Sequence, residues 1–169
     1  MNNKKAKEKK SLLPLIKFFG IFIGIIAAYY IFVAVANESF FNSYLNFTAN
    51  IASLIMNIFG QETTVQGTLI GSKTTVMLLS FGCEGTEPIV IFLAGMIAFP
   101  IVFKQKWIQI IVGVLGLYVL NFLRIIALYF VQMNNPKQFE TYHTIIFPIL
   151  FILFALICLG LCIKWASKK

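Results

Sequence analysis

Charge is scarce in this chain. Charged residues make up 12% of its 169 positions and apolar residues 59%, with 18 phenylalanines, and that balance leaves an integral membrane protein as the class. Also missing are an internal repeat, a low-complexity linker and a second domain, so one small bundle with an external cap is expected. No small-residue cleavage site follows the basic start Met1 to Lys10, and the apolar run Phe18 to Ala36 is too long for a secretory leader. The first run is therefore read as a retained spanning helix. The net charge of +8 resides in short lysine patches at the ends of apolar runs, where they meet lipid headgroups. These are topological anchors and not a phosphate-reading surface, so no nucleic-acid partner is expected.

Four runs are long enough to cross a bilayer, since about 20 apolar residues at about 1.5 Å each span about 30 Å. They cover residues 13–36, 85–103, 107–133 and 144–163, after a tail over 1–12. The second is the shortest: its apolar part is Pro88 to Phe103, and it is expected to recruit Gly85 to Glu87 or to tilt little. Residues 40–59 carry Asn46, Asn50, Ser53 and Asn57 at spacings of four, three and four. That polar stripe reads as an amphipathic helix against the membrane face or the bundle, with a fifth crossing as the competing reading.

Charge decides between them. Four crossings gather Lys4, Lys5, Lys7, Lys9, Lys10, Lys17, Lys104, Lys106, Lys164, Lys168 and Lys169 on one side with Glu8. Glu38, Glu62, Glu84, Glu87 and Glu140 fall on the other with Lys73 and Lys137. By the positive-inside rule both termini lie on the cytoplasmic side of the cytoplasmic (inner) membrane.

Residues 61–80 change character, to Thr, Val and Gly. Thr63 to Ile70 and Thr74 to Leu79 read as two short strands about Gly71-Ser72-Lys73. The expected fold class is an all-α integral membrane protein with about four transmembrane helices, an amphipathic helix and a small extracytoplasmic β-hairpin, the last two within residues 37–84.

Three polar residues then fall at one edge of the membrane. Cys83 follows the hairpin, just before the start of the second span, which Glu87-Pro88 marks because Pro suits a first helical turn. Arg124 lies 18 residues after Lys106, about 27 Å along a helix that begins at the inner face. His143 opens the fourth span after the loop Asn134 to Tyr142. A thiol, a guanidinium and an imidazole at one level are a nucleophile, a charge stabiliser and a proton carrier. A thiol near a helix N-terminus also feels the positive end of the dipole, which favours thiolate. Asn121, one turn before Arg124, lies on the same face and is placed to hydrogen-bond the guanidinium or a substrate backbone.

Each residue has an ordinary reading as well. A lone cysteine is often a small buried hydrophobe, an arginine near a helix end snorkels to the headgroups, and an interfacial histidine is structural or pH-sensitive. Glu84 and Glu87 are expected to be solvated, and close to Cys83 they would raise its pKa. Cys158 and Cys162 lie near the inner end of the last span, far from Cys83, so no disulfide is expected. Without further ligands their i, i+4 spacing makes no metal site.

The run Phe81-Gly82-Cys83-Glu84-Gly85, then Asn121-Phe122-Leu123-Arg124-Ile125, then His143 at the head of the last span resembles the exosortase/archaeosortase family of multipass membrane transpeptidases. Those proteins carry a Cys-x-Gly motif, an Asn-x-x-Arg motif and a late His in this order, near the outer face. The likeness covers roughly residues 60–163 and is that of a compact member, since many members have additional N-terminal spans. Glu84 and Thr86 differ from the small-polar and aliphatic neighbours usual beside the cysteine.

The resemblance implies cleavage of a C-terminal sorting signal on exported proteins, a tail of short motif, hydrophobic helix and basic end. It implies Cys83, Arg124 and His143 as catalytic residues, Asn121 and Gly85 as substrate-binding or supporting, and no metal or organic cofactor. The partners it implies are those exported proteins and membrane lipid. A second class also fits the sequence, a non-catalytic small membrane subunit of a transporter or envelope assembly machine, supported by Gly20-x-x-x-Gly24, Gly113 and Gly116. A protease that hydrolyses without transfer differs only in what resolves the thioester.

Overall fold

The computed structural model describes residues 2–36, 38–80 and 82–167, with side chains from Leu12 onward except Glu38. Phe81 and the anchoring side chains of Lys4, Lys5, Lys7, Glu8, Lys9, Lys10, Glu38, Lys168 and Lys169 lie outside the described residues. The elements run α1 (Asn2–Val35), α2 (Glu38–Ile58), β1 (Thr64–Gln66), β2 (Leu69–Gly71), β3 (Val76–Leu78), α3 (Thr86–Ala98) and α4 (Phe103–Asn134). A 3₁₀ turn (Pro136–Gln138) then leads into α5 (Phe139–Thr141), a π-helical stretch (Tyr142–Ile146) and α6 (Phe147–Ala166). Among the described residues three helical stretches are long and apolar enough to cross a membrane: Leu12–Val35, Phe103–Asn134 and Pro136–Ala166. The expected class holds: a mostly helical membrane protein with a small sheet.

The second expected span differs. It begins at Thr86 but ends at Ala98, giving 13 residues, because Pro100 disfavours helical backbone at Phe99, which turns extended at φ −69° and ψ 132°. Its orphaned carbonyls are met by Lys106 of α4, whose Nζ donates to Met96 O at 2.7 Å and to Ile97 O and Phe99 O at 3.1 Å each. A cation there also complements the helix's negative end.

α1 runs antiparallel to α3. The Phe18 ring meets Phe99 edge-on at 6.5 Å near one end, and near the other the Tyr29 hydroxyl bonds Thr86 Oγ1 at 2.7 Å while Tyr30 donates to Glu87 at 3.2 Å. Phe92, Met96, Leu117, Phe151 and Ala155 fill the bundle between α3, α4 and α6. The Phe92 ring lies on Gly113 and Leu159 lies on Gly95, leaving no room for a Cβ at either glycine, whereas Gly20, Gly24 and Gly116 meet nothing within 4 Å.

At the Thr86 end sits the cap. Its sheet has the order β1-β2-β3, antiparallel throughout, with Ile70 opposite Met77. The first expected strand is thus two strands, divided by a tight turn at Gly67-Thr68. Ile70 and Met77 point inward onto Ala49, Ala52 and Met56 of α2, while Val76 and Leu78 face outward, the two-residue period of a pleated strand. α2 is the amphipathic helix expected over 40–59, packed on the sheet and α4, but its polar stripe divides. Asn46 and Asn50 are exposed, whereas Ser53 and Asn57 turn to Thr63, with Asn57 Nδ2 donating to Thr63 O at 2.9 Å.

The last helix starts earlier than residue 144. Pro148 has no N–H for the Thr144 carbonyl and its ring crowds that carbonyl, so the turn before it widens into the π stretch Tyr142–Ile146. That widened turn carries His143.

Candidate active site

The chain enters the site through a strained corner. Gly82 (φ 95°) and Gly85 (φ 72°) occupy the left-handed region that residues with a Cβ avoid. Between them stand Cys83 and Glu84, 4% and 1% exposed. The Gly82 peptide is held from both sides: its N–H donates to Glu84 Oε2 at 2.6 Å, and its carbonyl accepts from Arg124 NH1 at 3.0 Å. The Cys83 N–H closes the turn onto Ser80 O at 3.0 Å.

Cys83 Sγ lies 3.0 Å from His143 Nε2. Phe139, one turn earlier, stacks on the imidazole with centroids 5.6 Å apart and rings 5° from parallel, fixing its plane. Arg124 is only 7% exposed; it does not snorkel but turns inward, with its guanidinium carbon 5.9 Å above the Phe151 ring. A cavity of about 250 Å³ beside the pair is lined by Gly82, Thr86, Arg124, His143, Phe151 and Ile152 among others.

Electrostatics set the resting state of the sulfur. Burial pushes the Cys83 thiol up, Arg124 and the bond to Ser80 pull it down, and Glu84 adds to the rise. The balance is upward because burial outweighs the pull of Arg124 and the Ser80 bond, which favours the thiol as the resting form. An imidazole at hydrogen-bond distance can accept that proton as the sulfur attacks, and a fixed guanidinium can steady the negative charge that develops.

Glu84 corrects the sequence reading, which has it solvated. It is buried, and burial raises its pKa, an upward shift that the backbone N–H groups it accepts from and Thr86, whose hydroxyl donates to it at 3.3 Å, reduce but do not cancel. Tyr44 reaches the Glu84 carbonyl at 3.4 Å and the Tyr118 hydroxyl at 2.5 Å. The Cys83 turn is thereby tied to α1 through Thr86 and Tyr29, to α2 through Tyr44 and to α4 through Tyr118 and Arg124. Glu87 is half-buried and accepts from Tyr30.

Asn121 is not bonded to Arg124. It is buried, its amide N and O have no hydrogen-bond partner among the described residues, and its side chain fills the space that a Cβ on Gly85 would need, 2.5 Å from the Asn121 Cγ. Cys158 and Cys162 lie toward the far end, where Cys162 Sγ donates to Gln109 O at 3.5 Å. Sequence reasoning saw that Glu84 beside Cys83 would raise its pKa, but missed the carboxylate's burial, the tyrosines and Phe139. Pro148, which the sequence reading passed over, shapes the turn that carries His143.

The fold and the paired thiol and imidazole define a multi-pass helical membrane protein with a cysteine-centred polar site at one end of its bundle. The chain belongs to the transmembrane exosortase family, whose model matches residues 16–161, a family of cysteine transpeptidases. No curated protein and no solved structure matches.

Proposed function

We propose that this protein is a membrane cysteine transpeptidase that cleaves C-terminal sorting signals of exported proteins at the outer face of the cytoplasmic membrane and passes them to an envelope acceptor. The observation that carries this reading is the 3.0 Å approach of Cys83 Sγ to His143 Nε2, beside an inward-turned arginine. Cys83 attacks the scissile carbonyl while His143 takes the thiol proton. Arg124, fixed on Gly82 O, steadies the developing oxyanion, and His143 protonates the leaving amine, so a thioester forms and one hard displacement becomes two easier ones. Gly85 and Asn121 support the turn by their close packing.

The tail's hydrophobic helix has an apolar surface against which a few of its side chains can seat. An apolar groove of about 220 Å³ between α4 and α6, lined by Leu120, Leu123, Ala127, Phe147, Leu150 and Phe154, shares Arg124 and Phe151 with the site cavity. A tail in that groove delivers its motif to the cavity. The lysine asymmetry supports cytoplasmic chain termini and a cap on the outer side.

The test compares the masses of exported, membrane-associated proteins from cells carrying the native chain and cells carrying Cys83→Ala. Precursors that keep a hydrophobic C-terminal tail are expected to accumulate in the variant. Unchanged profiles, with the variant at normal level and tail-bearing clients detected, would leave a membrane scaffold instead.

A further inference from the structure

His143 faces two cavities, not one. Besides the chamber it shares with Arg124, it lines a second of about 490 Å³ on the cap side, together with Val76, Leu78, Ser80, Gln132, Phe139 and Glu140. Of the described residues that line the two, only His143 and Thr144 are common. The first chamber adjoins the α4/α6 groove at Arg124 and Phe151; the cap-side chamber shares neither residue and is bounded by β3, the end of α4 and the start of α5. A substrate that arrives on a hydrophobic tail fills the first. The second stays open to the same imidazole.

We propose that the cap-side chamber binds the second substrate, the acceptor that resolves the Cys83 thioester, and that this acceptor is a primary amine without an anionic group close to it. This rests on the transpeptidase reading above. The chemistry comes from the lining: Glu140 supplies a carboxylate, Gln132 an amide and Ser80 a hydroxyl, and among the described lining residues there is no lysine or arginine to meet an anion. A carboxylate at the mouth gathers ammonium groups and repels carboxylates. In the transfer the gathered ammonium first gives one proton to water; the free amine nitrogen then attacks the thioester carbonyl, the C–N bond forms and the C–S bond breaks. One amine proton passes to His143 Nε2 and from there to the departing Cys83 sulfur, which restores thiol and imidazole. Separate chambers let the acceptor bind while the acyl group still occupies the first, which favours transfer over hydrolysis.

The experiment uses the full-length protein in lipid nanodiscs and the tail-bearing precursor that accumulates in Cys83→Ala cells. Ethanolamine or glycine is offered as acceptor, and mass spectrometry reads the Cys83 thioester and the ratio of amine-linked to hydrolysed product. The native chain is expected to favour ethanolamine over glycine by tenfold or more. Glu140→Lys should reverse that preference, and Gln132→Trp, which fills the chamber, should lower the transfer-to-hydrolysis ratio at least tenfold for both amines. Glu140 is exposed and on a short element, so its replacement leaves the core intact. A thioester that forms while the native chain shows no preference, while both variants leave the ratio unchanged, or while water alone resolves it whatever amine is present, overturns the acceptor chamber but not the transpeptidase. Absence of any Cys83 thioester overturns both.

Discussion

Replacing Glu84 by alanine should disable the site without touching either partner of the sulfur–imidazole pair. The carboxylate accepts the Gly82 N–H at 2.6 Å and the Thr86 hydroxyl at 3.3 Å. Its loss leaves the Gly82 N–H unpaired in a buried corner, at a cost of about 1–3 kcal/mol. The larger effect is on aim. With only Arg124 left to hold the Gly82 peptide, a drift of about 1 Å in Sγ would slow thioester formation on the order of 100-fold. Glu84→Gln separates hold from charge, because the amide oxygen still accepts the Gly82 N–H while the negative charge is gone. Single-turnover thioester formation, thermal unfolding and the pH dependence of iodoacetamide uptake at Cys83, read peptide by peptide by mass spectrometry, give three independent outputs. Alanine is expected to slow thioester formation about 100-fold and to lower the melting temperature. Glutamine should stay within about tenfold of the native rate, while its alkylation midpoint moves to lower pH, since Glu84 is one of the groups that hold the thiol up. The reasoning fails if alanine matches the native chain in rate, or if glutamine leaves the alkylation midpoint in place.

Alkylation of Cys83 in the native chain should rise through a midpoint above that of an ordinary thiol, because burial disfavours the thiolate; a midpoint at or below the ordinary value would contradict that balance. Gly85→Ala should cost at least about 1–2 kcal/mol for the left-handed backbone alone, with a further penalty from the Asn121 side chain, visible as lower melting temperature or yield. Arg124→Lys keeps the charge but loses the planar fork that holds Gly82 O, so tail cleavage should fall by tenfold or more while the protein remains folded. Lys106→Met uncaps the Met96 and Ile97 carbonyls of α3 and that of Phe99 just past its end and should lower thermal stability by about 1–3 kcal/mol.

Much of this was legible in the residues. Apolar run length and lysine placement indicate the helical membrane class, and the polar stripe of residues 40–59 indicates an amphipathic helix against the membrane face or the bundle; α2 packs on both the sheet and α4. Cys83, Arg124 and His143 stood out because polar side chains are rare in such a chain, and the structure brings all three to one corner. Proximity in space was harder to read. Glu84 looked solvated because nothing in a linear sequence tells that Gly82 and Gly85 fold the chain back so that its carboxylate closes on its own turn. The break at Gly67-Thr68 was hidden inside a run of β-formers, although a Gly-Thr pair there is enough for a tight turn. The end of α3 at Ala98 was readable in Pro100, and the apolar residues beyond it drew the expectation past that stop.

The shortness of α3 reaches beyond the fold. Thirteen residues rise about 20 Å, against a hydrocarbon layer of about 30 Å. With Lys106 at the inner face, α4 carries Arg124 about 27 Å outward and Arg124 holds the cysteine turn through Gly82 O, so the turn lies about 3 Å inside the outer boundary of a layer of that thickness. Bilayer thickness thereby becomes a working parameter of the site. Short-chain lipids would lift the thiol toward water, and long-chain lipids would sink it among acyl chains. The same polypeptide is then expected to react at different rates in membranes that differ only in the length of their tails.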